Sequence, residues 1–471
     1  MTDPERQHQR MTQTPIPRLI IRLGIPTTIS MLITSVYNMA DAYFVSQLGT
    51  SAGGAVGVVF SLMAVFQAVG FTLGMGAGSL ISRRLGEKDK PAADQCAASA
   101  FYLSLLFGAA ITAAGSVLIR PLMRFLGATE TILPFAVDYG RYIILGAPII
   151  CASFVLNNIL RAEGKAALAM VGLCTGGLLN LALDPLLIFK AGLGTSGAAI
   201  ATLVSQCVSF LLLLTMFLTH RSGVSLHPKH ISRRLRLYGE IVRCGLPSFC
   251  RQGLASISTV LLNRQAAQYG IAEGMARYAD AAAAGAFGDA AVASMSIVSK
   301  VFMFMLCIGL GIGQGFMPVA GYNYGAKQYD RVRKAYRFTV LLSFVLMSAL
   351  SACVYAYSPQ IVTLFRRDDP AVIEIGTLAM RLQCAAMPLQ TVTVPTNMIH
   401  QALGRSWEST LLSACRQGIF FIPLILFLPM AVGLLGVQAT QAAADVLTFL
   451  VSIPFALRFF HNLQKEQRGL H

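Results

Sequence analysis

The sequence predicts an all-α polytopic membrane protein with twelve transmembrane helices in two pseudo-symmetric six-helix bundles. The first observation behind this prediction is composition: 55% of the 471 residues are hydrophobic and 12% are charged, whereas about a quarter of a soluble domain is charged. The second is a series of apolar stretches of about 20 residues, each long enough to cross a bilayer. The third is an internal repeat that divides the chain into two similar halves.

The apolar stretches define six predicted spans in each half of the chain. The spans run over residues 19–46, 54–82, 95–119, 132–160, 166–190, 195–219, 240–269, 287–318, 334–357, 371–402, 408–430 and 434–460. The first ten residues, "MTDPERQHQR", lack the apolar core of a secretory signal peptide. We therefore expect the first span to remain in the mature protein.

Basic residues are concentrated in alternate loops, and this pattern orients the predicted spans. One side contains Arg83, Arg84, Lys88 and Lys90 after the second span, together with a strongly basic stretch at 220–240. Because Lys and Arg accumulate on the cytoplasmic side of membrane proteins, both termini are predicted to be cytoplasmic. The net charge of +16 is interpreted as this orientation signal, and no nucleic-acid partner is expected.

Short sequence matches relate the two halves. "IRLGIPTTIS" (21–30) corresponds to "VRCGLPSFCR" (242–251), and "LRAEGK" (160–165) corresponds to "HQALGR" (400–405). Since six is an even number of spans, both halves enter the membrane from the same side, and parallel repeats of this kind often place a substrate site between two bundles. The predicted organisation is a cytoplasmic N-terminal tail (1–18), an N-terminal bundle (19–219), a cytoplasmic linker (220–239), a C-terminal bundle (240–460) and a cytoplasmic C-terminal tail (461–471).

Asp41 and Asp184 are acidic residues inside predicted spans of the first half. Asp41 follows the apolar run "LIIRLGIPTTISMLITSVY", and Asp184 lies in "GGLLNLALDPLLIF". An acid at the centre of a transmembrane helix costs about 2.5–3.5 kcal/mol on insertion scales, and such residues usually mark ion pathways or proton relays. Asp41 and Asp184 are therefore the first functional candidates. The alternative is a structural role in which they pair with Lys300 or an arginine.

Polar side chains accompany both acids at helical spacing. Asn180 and Asp184 are four residues apart and share one helix face. The further polar residues on the predicted spans are Tyr37 and Asn38 beside Asp41, Ser153 with Asn157 at i,i+4, Asn158, and Thr202. Hard oxygen ligands of this kind suit a small cation. The same group suits a proton equally well, because burial and a second nearby acid both favour a protonated carboxyl group.

Two patterns predict how the helices pack and bend. Gly70, Gly74 and Gly78 form a GxxxGxxxG face, which lets two transmembrane helices approach closely. Pro26 and Pro185 lie inside predicted spans, where a proline removes a backbone hydrogen bond and bends the helix. We therefore predict kinks at both prolines.

Five motifs in order resemble the MATE family, the multidrug and toxic compound extrusion transporters. They are "NMADAYFVSQLG", "GMGAGSLISRRLGEKD", "NNILRAEGK", "NLALDPLLIF" and "GAAIAT". The similarity extends from about Arg18 to Arg458 and is greatest to the bacterial DinF-like and MepA-like branch.

The resemblance implies a V-shaped pair of six-helix bundles in the bacterial plasma membrane, the inner membrane. It implies alternating access and export of small-molecule drugs or toxic metabolites, amphipathic or cationic, by antiport with H⁺ or Na⁺. No cofactor is implied, and we expect a monomer. The implied coupling residues are Asp41, Asn157, Asn180, Asp184 and Thr202. If the ion is Na⁺, we expect it at Asp41, Asn180, Asp184 and Thr202; no other metal is expected.

Broad specificity favours a cavity with apolar and aromatic walls and few fixed polar groups. The predicted lining residues are Tyr37, Asn38, Met63, Ser153, Phe154 and Lys300. Other branches of the family have acids on spans seven and ten, whereas the stretches "SFCRQGLASISTVLLNRQ" and "AAMPLQTVTVPTNMIHQ" of those spans contain no Asp or Glu in this sequence. Coupling is therefore expected to depend on the N-terminal bundle alone.

Two other functions are alternatives to drug export. A flippase for lipid-linked precursors, in the same superfamily, needs a wide cationic cavity, for which only Lys300, Arg251 and Arg416 are available. An intramembrane enzyme needs a nucleophile with its base or a metal cluster. The histidines are mostly in loops and form no HExxH or similar pattern. The sequence therefore favours a transporter, not an enzyme.

Overall fold

The computed structural model describes residues 3–278, 280–366 and 369–468, and all regular structure in these residues is helical. The α-helices are α1 (Asp3–Gln13), α2 (Ile16–Ser46), α3 (Thr50–Gly86), α4 (Lys90–Val117), α5 (Ile119–Phe125), α6 (Leu133–Ala162), α7 (Ala166–Pro185), α8 (Gly194–Leu218), α9 (Leu235–Arg277), α10 (Ala281–Gly325), α11 (Tyr329–Ala356), α12 (Ser358–Phe365), α13 (Pro370–Ala386), α14 (Gln390–Ala402), α15 (Ser406–Ala414), α16 (Phe421–Val432) and α17 (Leu434–Gln467). Two π-helical segments, Leu186–Lys190 and Cys415–Ile419, follow α7 and α15. Residues 1–2 and 469–471 of the predicted tails lie outside the described residues.

Eleven helical segments in the described part of the chain are long and apolar enough to cross a membrane. They match eleven of the twelve predicted spans, so the all-α polytopic fold is confirmed. The remaining predicted span, 240–269, lies within α9, which is 43 residues long. This helix is not among the eleven because Arg251, Gln252 and other polar side chains lower its mean hydropathy.

The chain divides into two compact units. Unit 1 comprises Met1–Phe249, Gln314–Val332 and Gln401–Ser406, and unit 2 comprises Cys250–Gly313, Arg333–His400 and Trp407–His471. The two units are defined by which residues pack together. The predicted linker at 220–239 is defined differently, as the polar stretch between spans six and seven. The linker therefore stays a prediction about sequence organisation.

The apolar core of unit 1 is built around α6. This helix packs against α3, α4 and α8, while α2 packs against α7. Phe66 on α3 and both Tyr139 and Ile143 on α6 are completely buried in this core. A polar side chain on the buried faces of α6 is therefore shielded from both lipid and water.

The glycine row on α3 makes the close contact with α6 that its spacing predicts. A Cβ atom on Gly70 would lie 2.7 Å from the Cβ of Phe154, and one on Gly74 would lie 2.8 Å from the side chain of Asn158. A Cβ on Gly78 would also touch α6, at 3.3 Å. The two helices are thus closer than most larger residues would permit, and the predicted packing role is confirmed.

The predicted N-terminal tail and linker are both tied to unit 1. The tail contains α1, in which Met11 is completely buried and Gln7 donates a hydrogen bond to the carbonyl of Glu163 (2.5 Å). The Glu163 carboxylate, at the end of α6, accepts a hydrogen bond from the Gly223 N–H in the linker (2.7 Å). Burial raises the pKa of Glu163, and the charge of Lys165 and the bond from Gly223 offset part of that rise.

Unit 2 has its own apolar core. It draws on α9, α10, α13, α16 and α17, and its completely buried members include Ala266, Met380 and Ile425. Both α13 and α16 pack against α17. The second unit is therefore a helical bundle with an independent core.

Candidate ion-coupling site

Asp41 lies on α2 and faces the centre of unit 1. Its side chain is 3% exposed, and its Oδ2 accepts a hydrogen bond from the hydroxyl of Tyr139 on α6 (2.8 Å). Tyr139 is itself completely buried. The acid is therefore enclosed in unit 1 and does not face lipid, where an ionised carboxylate would be most costly.

The second acid, Asp184, lies near the end of α7 and is also completely buried. The i,i+4 spacing places Asn180 one turn earlier on the same face, and its Nδ2 donates to Asp184 Oδ1 (3.1 Å). The same amide nitrogen lies 3.3 Å from the hydroxyl oxygen of Thr202 on α8. Asn180 thus connects two helices and fixes the orientation of the Asp184 carboxylate.

Hydrogen bonds and an electrostatic interaction connect the two acids and their neighbours into one group. The Tyr139 hydroxyl interacts with Thr202 as well as with Asp41, and the charges of Asp41 and Asp184 interact electrostatically. We call these five residues, Asp41, Tyr139, Thr202, Asn180 and Asp184, the polar network. It connects four helices, α2, α6, α8 and α7, in the interior of unit 1.

Three oxygen atoms of the polar network have no hydrogen-bond partner within the described part of the chain. They are Asp41 Oδ1, Asn180 Oδ1 and Asp184 Oδ2, and all three are buried. A buried polar group without a partner costs about 1–3 kcal/mol, and a charged one costs more. A cation bound by these oxygens would offset this cost, and so would a proton on one of the carboxylates.

The structural alternative for the two acids finds no support in the described residues. Among these, no Lys or Arg nitrogen forms a salt bridge with Asp41 or Asp184. The predicted partner Lys300 is exposed on α10. The hydrogen bonds that both acids do make come from uncharged side chains, Tyr139 and Asn180.

The two prolines behave differently. Pro185, immediately after Asp184, is the last residue of α7, and the chain continues as the π-helical segment Leu186–Lys190. Pro26 lies inside α2, which runs without interruption from Ile16 to Ser46. The local change in helix type therefore lies at Pro185, directly beside the second acid.

Several predicted site residues contact other parts of unit 1. Asn157 is 2% exposed, and its Nδ2 donates to the carbonyl of Ala169 at the start of α7 (2.8 Å). Ser153 is buried, and its hydroxyl has no hydrogen-bond partner among the described residues. The bond of Asn157 holds α6 against α7, and no described hydrogen bond joins Asn157 to the polar network.

The predicted substrate-lining residues of unit 1 have different surroundings. Tyr37 is buried near Asp41 and interacts with Gln206 on α8, whereas Asn38 is half-buried. Met63 belongs to the apolar core. Phe154 packs against another ring of unit 1, Phe71, with 4.9 Å between the ring centroids. A shared lining by these residues stays a prediction.

Sequence reasoning missed Tyr139. Tyr139 was not among the predicted site residues, although a buried hydroxyl usually requires a polar partner. The need of a buried hydroxyl for a polar partner was the only indication in the sequence, because Tyr139 and Asp41 are 98 residues apart.

Sequence reasoning also passed over Asp445, and the set of buried acids predicted from the sequence was incomplete. Asp445 is completely buried on α17, where its Oδ1 accepts from Arg416 Nε (2.9 Å) and Gln441 Nε2 (2.9 Å). The second half therefore contains a buried acid on span twelve, although spans seven and ten have none. Its position in "QAAADVLTFL" was the available signal.

The donor atoms of the polar network determine which ions it suits. Within the described residues, no group of three or more His, Cys, Asp or Glu side chains is arranged to hold a metal ion. The network offers instead two carboxylates, one amide oxygen and two hydroxyls. Oxygen ligands of this kind fit Na⁺, and the two neighbouring acids also fit a proton.

Membrane-length helices around a buried polar network define a polytopic membrane transporter. The sequence profile of the MatE family matches residues 26–186 and 271–427, which together are more than half of the chain. The chain belongs to the MatE family, and the predicted resemblance to MATE transporters is confirmed.

Individual relatives agree with this assignment. The multidrug export protein MepA of Staphylococcus aureus (strain NCTC 8325 / PS 47) is 25% identical over 442 residues, which cover 94% of this chain and 93% of the relative. A MATE crystal structure in complex with MaL6 has a TM-score of 0.90 at 28% identity and covers 99% of this chain and 100% of the other. An outward-facing multidrug resistance MATE transporter of the MOP superfamily has a TM-score of 0.89 at 28% identity, with 99% of both chains covered.

Proposed function

We propose that the protein is a secondary active multidrug efflux transporter that exports amphipathic or cationic organic compounds in exchange for H⁺ or Na⁺. Relatives that cover more than nine-tenths of the chain are named multidrug export proteins, which supports the export role. The observation that carries the coupling role is the polar network: two buried acids share one site in which three oxygens have no partner among the described residues.

In this proposal Asp41 and Asp184 bind the ion, and the other three residues position them. Tyr139 orients Asp41, Asn180 orients Asp184, and Thr202 joins the two pairs. Two carboxylates held close together in a dry site repel each other unless a cation or a proton reduces their charge. Ion binding therefore changes the relative free energies of different packing arrangements of the four helices.

The end of α7 is suited to respond to that change. Pro185 follows Asp184 directly, and the backbone beyond it is π-helical. π-Helical segments are common at functional sites and disturb the regular helical hydrogen-bond ladder. A rearrangement there would shift α7 relative to α2 and α8, which is the step that links ion binding to alternating access.

The energetics allow a single ion to drive export. A thousandfold gradient of a neutral drug costs about 4 kcal/mol, at about 1.4 kcal/mol per tenfold. One monovalent cation that moves down 100 mV releases about 2.3 kcal/mol. A bacterial membrane potential together with a modest ion gradient is therefore sufficient.

The deciding experiment is efflux of a fluorescent cationic dye from proteoliposomes, with pH and sodium gradients imposed separately. We expect one of the two gradients to drive dye movement by the wild-type protein and by Asp138→Asn. Asp138 is a suitable control because it is an exposed acid next to Tyr139 on α6. The Asp41→Asn protein should not respond to either gradient.

Two results would argue against the proposal. Dye movement that is indifferent to both gradients would remove the antiport mechanism. Full gradient-driven movement by Asp41→Asn would remove the polar network as its site.

A further inference from the structure

Unit 2 contains a cavity of about 260 Å³ that has no role in the proposed coupling mechanism. It lies between α9, α10 and the helices that follow α13. Its charged lining residues are Arg251 on α9 and Arg416 in the π-helical segment after α15. Among the described residues that line it there is no Asp or Glu. The cavity wall is therefore cationic.

The charged side chains described at this cavity are two arginines and, outside the lining, one acid. Arg251 and Arg416 are close enough to repel each other electrostatically. Asp445 is the one acid among the buried residues described for unit 2, and it pairs with Arg416 from outside the lining. Its bond uses Arg416 Nε alone, not the two-pronged pairing that would occupy the guanidinium fully. Two guanidinium groups therefore lie beside one cavity, and their geometry suits a bound oxyanion.

An uncharged polar side chain adds a second, independent observation. Gln390 is 3% exposed and lines the cavity, and neither its amide nitrogen nor its amide oxygen has a hydrogen-bond partner within the described residues. A buried amide without partners is costly unless a bound molecule satisfies it. The rest of the wall is largely apolar and includes Met295, Phe302 and Leu306.

We propose that this cavity binds amphipathic anions. A carboxylate, sulfonate or phosphate group would lie between Arg251 and Arg416, because guanidinium groups match the geometry of such oxyanions. The Gln390 amide would donate to the same group, and the apolar body of the ligand would lie against Phe302 and its neighbours. The site lies in unit 2 and does not depend on ion coupling at the polar network.

The test uses 1-anilinonaphthalene-8-sulfonate, an aromatic sulfonate whose fluorescence rises in apolar surroundings. The full-length protein is titrated in phosphatidylcholine nanodiscs, and the signal of empty nanodiscs is subtracted. N-phenyl-1-naphthylamine, which has the same rings without the sulfonate, is the matched neutral probe. We expect Arg251→Gln to weaken sulfonate binding about tenfold or more, as for the loss of a charged hydrogen bond, and to leave the neutral probe unaffected.

The matched control variant is Arg264→Gln, since Arg264 is exposed on the same helix and does not line the cavity. Removal of Arg416 alone would leave Asp445 buried without its counter-charge, so Arg416→Gln is combined with Asp445→Asn. This pair should weaken sulfonate binding as Arg251→Gln does. Equal affinity of the wild type, Arg251→Gln and the double variant for the sulfonate would overturn the proposal.

Competition identifies the source of the anion. Displacement of the sulfonate probe by octyl phosphate added to the solution, without an effect of phosphatidylglycerol in the nanodisc, indicates a ligand that enters from water. Displacement by phosphatidylglycerol indicates a lipid headgroup. If neither compound displaces the probe from the wild-type protein, the assignment to amphipathic anions is wrong.

Discussion

The polar network of unit 1 and the cavity of unit 2 have opposite charge. In unit 1 two acids are held by uncharged donors, and three network oxygens have no partner in the described chain. In unit 2 two arginines line a cavity, and the buried acid beside them is already paired. The repeated halves thus combine a similar helical framework with different polar chemistry.

The shared framework is visible in matching details. Asn157 donates to the carbonyl of Ala169, and Asn397 donates to the carbonyl of Ser409, in each case twelve residues further along the chain. Gly164 and Gly404, in the turns that "LRAEGK" and "HQALGR" align, both have a positive φ (80° and 75°). Such a backbone favours glycine. The residues that shape turns and helix contacts correspond, whereas the charged residues differ.

The π-helical segments show the same contrast. They follow α7 in the first half and α15 in the second. An acid, Asp184, precedes the first segment, and a cation, Arg416, lies within the second. We infer that the same helical irregularity positions an ion site in one unit and an anion-binding wall in the other.

The largest expected effect comes from Asp41→Asn. The amide keeps the size of the side chain but does not exchange a charge, so export against a concentration gradient should fall to background. Drug resistance of cells that express the variant, with the protein quantified in the membrane, measures this. Asp138→Asn should confer the same resistance as the wild type. Full resistance from Asp41→Asn would show that the polar network of unit 1 is not the coupling site that distinguishes this unit from unit 2.

The next effect concerns the relation between the two acids. Asp184→Asn should also abolish export, and the Asp41→Asn/Asp184→Asn double variant should be no worse than either single one. Residues that act as one unit give non-additive effects. Initial dye-efflux rates in proteoliposomes measure this. Small, independent and additive losses would instead indicate two separate structural roles.

A smaller effect is expected from Tyr139→Phe. It removes only the hydroxyl that donates to Asp41, and a hydrogen bond to a charged group contributes about 1.5–3 kcal/mol. The rate of gradient-driven export should fall about tenfold. Tyr142→Phe on the same helix is the control, and an unchanged rate for Tyr139→Phe would remove Tyr139 from the polar network.

The smallest effect tests the shared framework. Asn157→Ala and Asn397→Ala should both lower the apparent melting temperature of the purified protein. Asn397→Ala should lower it more, because Asn397 donates to both the Ser409 carbonyl and the Ser413 hydroxyl. Asn157 donates only to the Ala169 carbonyl among the described residues. Activity per folded molecule should be retained in both. If Asn157→Ala uncouples export while the protein stays fully stable, Asn157 belongs to the coupling site, as the family resemblance implies.

The fold could be predicted from properties of short stretches of the sequence. Apolar length predicted the spans, and the spacing of Gly70, Gly74 and Gly78 predicted a close helix contact that the structure contains. The apolar stretch at 240–269 predicted a helix there, and α9 includes it despite its charges. These features depend on residues near one another in the chain, so one sequence is enough to find them.

The candidate site was only partly predictable. Asp41, Asn180 and Asp184 were found because acids and amides are costly in apolar spans. Tyr139 was missed because its role depends on a contact between α2 and α6, which no local pattern encodes. Asp445 was missed because its pairing with Arg416 depends on the packing of α17 beside the segment after α15, which no local pattern encodes.

Ion release on substrate binding tests the central claim most directly. Purified transporter is saturated with a cationic substrate in weakly buffered solution, and H⁺ and Na⁺ are followed with a pH indicator and a sodium electrode. If both ligands are linked through one site, the wild type and Asp138→Asn should release about one ion per molecule, and Asp41→Asn and Asp184→Asn should release none. Undiminished ion release by the two site variants would contradict the account.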